Sequence, residues 1–198
     1  MNQTISVKQI LYDIFSIKEQ VIKLYKGKER YKGLITFLEA KDYFNDEDIP
    51  YPTLKQVESD TGLKTHQIRK QLNEIYESLF NYEYTFDFND VEIYFSVNYF
   101  ERYANVKCSN LSQLPRVGEN ISLPFLKAKI GTDFFYVDDI RHSLLNNQQI
   151  IDISLKVGRF NSYWYYRKHK ALETGEIGLF EEFKLNDYQI KDKLGIRN

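Results

Sequence analysis

The sequence predicts an α+β fold, with a helical first half followed by a small C-terminal antiparallel β-barrel. Apolar residues recur at three- and four-residue spacing as far as Leu79, and at every second residue after it. The second half is then cut at short intervals by turn-forming residues. A hydrophobic content of 42%, with 16 Tyr and 14 Phe, is enough for a packed core, while 4 Pro and 9 Gly leave little room for linkers. The expected division is a helical domain over residues 1–98, a barrel over 99–172, and a tail over 173–198 with a short helix near 186–194.

Ser6 is placed to cap the first helix. Val7, Ile10, Leu11, Ile14, Phe15, Val21, Ile22 and Tyr25 form a stripe that predicts one amphipathic helix over residues 7–25. Such a helix packs on its own domain or pairs with a second copy in a homodimer. Tyr31, Leu34, Ile35, Leu38 and Tyr43 mark a second helix over 29–43. The run Asn45-Asp46-Glu47-Asp48 is rich in oxygen, but it lacks the glycine and terminal glutamate of a calcium loop and reads as solvated.

Residues 53–79 read as two helices joined by a tight turn. Thr53 caps the first, and Leu54 and Val57 begin its apolar face. Gly62 stands where a chain leaving a helix adopts positive φ. Ile68, Leu72, Ile75 and Leu79 then repeat along one face of the second helix. Lys64, Thr65, His66, Gln67, Arg69, Lys70, Gln71 and Asn73 are left facing outward. With Gly62, Leu63 and core positions at Val57, Ile68 and Leu72, this stretch resembles the helix-turn-helix of bacterial DNA-binding regulators. The residue after Val57 is small in that family; here it is Glu58, whose stem is expected to lie along the second helix.

Tyr82, Tyr84, Phe86 and Phe88, then Val91, Ile93, Phe95 and Val97, alternate with polar residues on either side of Asn89-Asp90, which predicts a β-hairpin. A hairpin in that place makes residues 29–97 similar to a winged helix-turn-helix domain. The resemblance implies double-stranded DNA as partner, with Lys64, Thr65, His66, Gln67, Arg69, Lys70 and Asn73 at the major groove. Gln67 and Asn73 would read adenine and Arg69 guanine. The hairpin itself is acidic, with Glu83, Asp87, Asp90 and Glu92, so it suits a protein partner better than phosphate.

Strands are expected at 103–111, 121–125, 134–142, 151–157 and 163–167, with a polar loop at 144–149. The Pro115-Arg116-Val117-Gly118-Glu119 turn resembles, weakly, the entry turn of small SH3-like barrels. A second candidate patch, Arg159, Tyr163, Trp164, Tyr166, Arg167, Lys168 and Lys170, interleaves cations with aromatics. That pattern can stack bases, and it also fits a barrel strand with its aromatics in the core and a basic end.

A net charge of −1 gives no global attraction to nucleic acid, so any DNA-binding surface must be local. Cys108 is the one cysteine, which excludes an intrachain disulfide and a cysteine-based zinc cluster. The histidines, His66, His142 and His169, fall in different elements, and no phosphate loop or zinc motif is present. Neither enzyme activity nor a cofactor or metal is expected. The N-terminal stretch lacks the layout of a signal peptide, and no apolar run has the length of a membrane span, so a cytoplasmic location is expected. The reading is a DNA-binding protein, in transcription regulation or a mobile element. The alternative is a protein-protein interaction module whose helices hold no DNA.

Overall fold

A computed structural model describes residues 5–81 and 84–196. The fold is mixed α+β: helices dominate the N-terminal half, and a five-stranded sheet occupies the C-terminal half. The chain divides into two compact units. The first holds the described residues up to Ile93 together with 108–110 and 142–151; the second holds 94–107, 111–141 and 152 onward.

The strands are β1 (Asp90–Tyr99), β2 (Arg102–Cys108), β3 (Asn120–Ser122), β4 (Phe134–Leu145) and β5 (Gln148–Val157). They lie in the order β2-β1-β5-β4-β3, an open sheet where a closed barrel was expected. Two-residue turns at Phe100-Glu101 and Asn146-Asn147 make β1/β2 and β4/β5 antiparallel pairs. β3 is antiparallel to β4, with Asn120 opposite Tyr136. β1 and β5 begin at the same end of the sheet. There the Asp90 N–H donates to the Asn147 carbonyl at 3.3 Å, and the Gln148 amide donates to the Asp90 carboxylate at 2.9 Å. Ile93, Phe95 and Val97 of β1, and Ile151, Ile153 and Leu155 of β5, are buried, whereas Tyr94, Ser96 and Ser154 between them are half-exposed. This is the period-2 alternation of strands with one covered face.

The expected hairpin over 82–97 does not form. Residues 84–89 are outside any strand, Tyr82 and Glu83 lie outside the described residues, and β1 starts only at Asp90. The alternating aromatics of this connection stack along it instead. Phe86 lies against Phe80 and Phe88 with centroids 5.9 and 6.1 Å apart, and meets Tyr84 edge-on. Alternation here reports ring stacking rather than a β ladder.

The first unit contains α1 (Val7–Ser16), α2 (Lys18–Tyr25), α3 (Lys32–Ala40), α4 (Leu54–Thr61) and α5 (Thr65–Leu79), with a 3-10 turn at Glu29–Tyr31 before α3. Their stripes meet in one core, with Leu11, Ile14, Phe15, Val21, Leu34, Leu38, Val57, Ile68, Leu72 and Ile75 buried. Phe15 meets Phe37, Tyr43 and Tyr51 edge-on. The second expected helix is thus shorter than 29–43, and Tyr43 enters the core from a turn.

The single helix expected over 7–25 is broken at Ile17 (φ −130). The β4–β5 turn binds at the break. The Asn146 N–H donates to the freed Ser16 carbonyl at 2.8 Å, and the Asn146 side-chain oxygen accepts the Glu19 N–H at 3.4 Å. Asn146 therefore caps the end of α1 and the start of α2 at once. Buried Gln20 completes the joint. Its amide donates to the Asn146 carbonyl at 2.8 Å and to the Asp87 carbonyl, and its oxygen accepts the Tyr84 hydroxyl at 2.9 Å.

In the second unit, β3 ends after three residues. A 3-10 turn at Pro124–Leu126 and α6 (Lys127–Ile130) follow, where a strand to 125 was expected. The chain after the sheet is helical: α7 (Ser162–Glu173), α8 (Leu179–Lys184) and α9 (Asp187–Lys193), the last capped by Asn186. The strand expected over 163–167 is the start of α7. The Asn161 side chain accepts the Trp164 N–H at 3.0 Å and opens that helix. Trp164, Ala171, Ile177 and Ile190 form the small core of these helices. A polar cluster ties them to the sheet. The Lys156 ammonium lies 3.3 Å from Asp138 and 3.1 Å from Asp187, and the Tyr165 hydroxyl donates to Asp138.

Candidate nucleic-acid interface

The α4–α5 pair is assembled by local bonds that its residues dictate. The Thr53 hydroxyl accepts the Gln56 N–H at 3.3 Å and starts α4. Gly62, at φ +69, ends it, with its N–H on the Glu58 carbonyl at 2.9 Å. The Thr61 hydroxyl donates to the Val57 carbonyl at 2.6 Å and accepts the Leu63 N–H at 3.2 Å, which fixes the path between the helices. α3 supports the turn at close range: a Cβ on Gly33 would stand 3.1 Å from the Thr61 carbonyl oxygen.

Glu58 has a defined task in this arrangement. Its carboxylate accepts both the N–H and the hydroxyl of Thr65, the first residue of α5. A carboxylate at a helix N-terminus satisfies an unpaired donor and complements the helix dipole. Glu58 thus holds the second helix to the first, rather than only lying along it.

The structure sorts the expected DNA-facing residues into two groups. Lys64, His66, Arg69, Lys70 and Asn73 are exposed, and their side chains make no hydrogen bond or ion pair among the described residues. Thr65 is half-buried and bonded to Glu58, and the Gln67 oxygen turns back to accept the Lys64 N–H at 2.9 Å. In this arrangement Gln67 has only its amide NH₂ free, whereas the adenine contact expected of it uses the oxygen and the NH₂ together. Gln71 is buried, not outward, with its amide on the Arg30 carbonyl at 2.9 Å. Farther along α5, Glu74 is matched by Arg30 at 2.6 Å and by the Tyr31 hydroxyl at 2.9 Å. The Arg30 hydrogen bond holds the Glu74 carboxyl below the usual carboxylate range.

The second candidate patch is dispersed by α7. Trp164 is buried, with the Lys191 ammonium over its ring at 5.2 Å. Arg167 forms a two-pronged pair with Glu176 at 2.6 and 3.2 Å, and Lys168 pairs with Glu182 at 3.2 Å. Arg159, Tyr163, Tyr166 and Lys170 remain exposed. Sequence reasoning missed the acidic partners because they lie 9 and 14 residues away on later turns of the chain. The Asn161-Ser162 cap, and the spacing of Trp164 with Ala171 and Leu172, were the available helix signals.

Among the described residues, no group of three or more His, Cys, Asp or Glu side chains stands together as a metal site, and no helix is long and apolar enough to cross a membrane. Compared with protein-family models, curated proteins and solved structures, the chain gives no significant match.

Proposed function

We propose that this is a DNA-binding protein that places the first half of α5 in the major groove, as a regulator or a mobile-element protein would. The reading keeps the helix-turn-helix and drops the wing. The observation that supports it is the set of exposed side chains His66, Arg69, Lys70 and Asn73, free of hydrogen bonds and ion pairs among the described residues, on one face of a 15-residue helix, with exposed Lys64 just before its first residue. Cations there meet phosphate, and Arg69 and Asn73 have the donors that guanine and adenine edges accept. The pairing of Glu74 with Arg30 reduces the repulsion that the acidic second half of α5 would otherwise add.

The test is duplex binding over a salt series. Arg69→Glu with Lys70→Glu is expected to lower affinity at low salt by at least about tenfold and to flatten the salt dependence. Unmeasurable affinity at low salt, or affinity indifferent to the double substitution, overturns the reading. One observation favours the protein-module alternative. The unit that contains α5 carries 12 Lys and Arg against 16 Asp and Glu, an unfavourable background for a polyanion. A chain that leaves duplex DNA unshifted but forms a stable complex with another protein through the α5 face would select it.

A further inference from the structure

We infer that the second unit has its own site for single-stranded nucleic acid, in the open cleft beside the β1–β2 turn. The cleft encloses about 860 Å³ and is lined by Tyr99, Phe100, Glu101, Arg102, Ile130 and Gly131, with Thr132 and Val157. The ring faces of the cleft, Tyr99 and Phe100, come from the end of β1 and the turn, and exposed Tyr103, next to Arg102 on β2, lies outside its lining. Phe100 is 80% exposed and Tyr103 63% exposed, and Tyr99 meets Phe100 edge-on with centroids 4.6 Å apart. Phe100 also sits at φ +53, where a side chain with a Cβ costs conformational free energy that burial does not offset here. A turn position suited to Gly or Asn thus holds an outward-facing ring.

Two cations flank these rings. The Arg102 guanidinium lies over Gly131, so close that a Cβ there would stand 2.8 Å from its Nη1, and the Lys129 ammonium lies 5.4 Å from the Tyr103 ring centre. Neither makes an ion pair among the described residues, whereas neighbouring Lys127 is met by Asp133 at 4.0 Å. Glu101 is the one carboxylate of the lining, beside Arg102. Exposed rings beside unpaired cations complement a strand whose bases are free to stack and whose phosphates need countercharge. Bases in a duplex already stack on each other, so these rings select unpaired nucleotides. The surface shares no residue with the α5 face, and the proposal stands or falls independently of it.

Fluorescence anisotropy of the full chain with labelled oligothymidylate and oligouridylate, each of about 15 nucleotides, tests this at low salt. Phe100→Gly with Tyr103→Ala is expected to weaken single-strand binding by at least about tenfold, the loss of one or two stacked bases. The variant should keep duplex affinity and melt no lower than the wild type, because both side chains are exposed. The ratio of the two oligonucleotides tells a DNA site from an RNA site, and preference for either supports the proposal. Absence of single-strand binding overturns it. So does binding that the aromatic variant leaves unchanged, whether or not Arg69→Glu with Lys70→Glu removes it.

Discussion

Gln20 shows how much a single buried amide can organise. It is 2% exposed, and both ends of its side chain are engaged: the amide with two backbone carbonyls, the oxygen with the Tyr84 hydroxyl. Gln20→Ala leaves those carbonyls unpaired and is expected to cost about 2–3 kcal/mol in urea unfolding. Gln20→Glu should cost more at neutral pH, since a carboxylate would face the same carbonyl oxygens. Glu58→Ala removes the bonds to Thr65 and is expected to cost about 1 kcal/mol, the usual worth of a helix cap. At Phe100 the sign reverses: Phe100→Gly relieves positive φ at an exposed site and should be neutral or stabilising, by up to about 1 kcal/mol. Thermal melts of the four variants place these effects on one scale. Nothing in the sequence around Gln20 announced its role, because its partners Asp87 and Asn146 are 67 and 126 residues away.

At the scale of the element, legibility followed the range of the forces. α4 and α5 were legible because caps, a positive-φ glycine and an apolar period of 3.6 all act within a few residues, and each pointed to the same structure. The break between α1 and α2 was not legible. Ile17 continues the apolar stripe, and what ends the helix is a turn more than a hundred residues later. Asn146→Ala tests that account. It loses the bond to Glu19 and forces a Cβ residue without a polar side chain into φ +54, with an expected cost of about 1–2 kcal/mol that Asn146→Gly should partly restore. Within the candidate interface the outward residues of α5 were legible from periodicity, apart from Gln71, which is buried, and Thr65, which is half-buried on Glu58. The second patch was not, since four consecutive aromatic residues, Tyr163 to Tyr166, read as strand until their cap and acidic partners are in view.

Over the whole molecule, ionisable groups set a window of stability. Glu74, Glu176 and Glu181 are held below the usual carboxylate range by hydrogen bonds from Arg30, from Arg167 and from the Gly178 backbone N–H. Their folded pKa values are depressed, so what they contribute is present above about pH 4 and lost as pH falls through the carboxylate range. Tyr165 and Tyr136 are shifted the other way, by burial first and, for Tyr165, by its bond to Asp138. Raised folded values stabilise below about pH 10, and that contribution disappears as pH rises. Melting temperature against pH should therefore be flat through neutrality and fall at both ends. Tyr165→Phe is expected to soften the alkaline fall, because a phenyl ring has no proton to lose.

An open sheet has terminal strands, and a terminal strand is a template on which a second chain can crystallise into fibre. The two ends of this sheet meet that hazard by different means. β3, at three residues, is too short to nucleate a ladder; β2, at seven, bears Arg102 at its start and Lys107 near its end. Lys107 lies over the Tyr94 ring, and a lysine on an edge strand is disfavoured in a ladder with a second copy. Lys107→Val is expected to shorten the lag before light scattering rises on heating, with little change in the melting point itself. On that view, resistance to aggregation while the chain is being made rests partly on one charged side chain at the rim of the sheet.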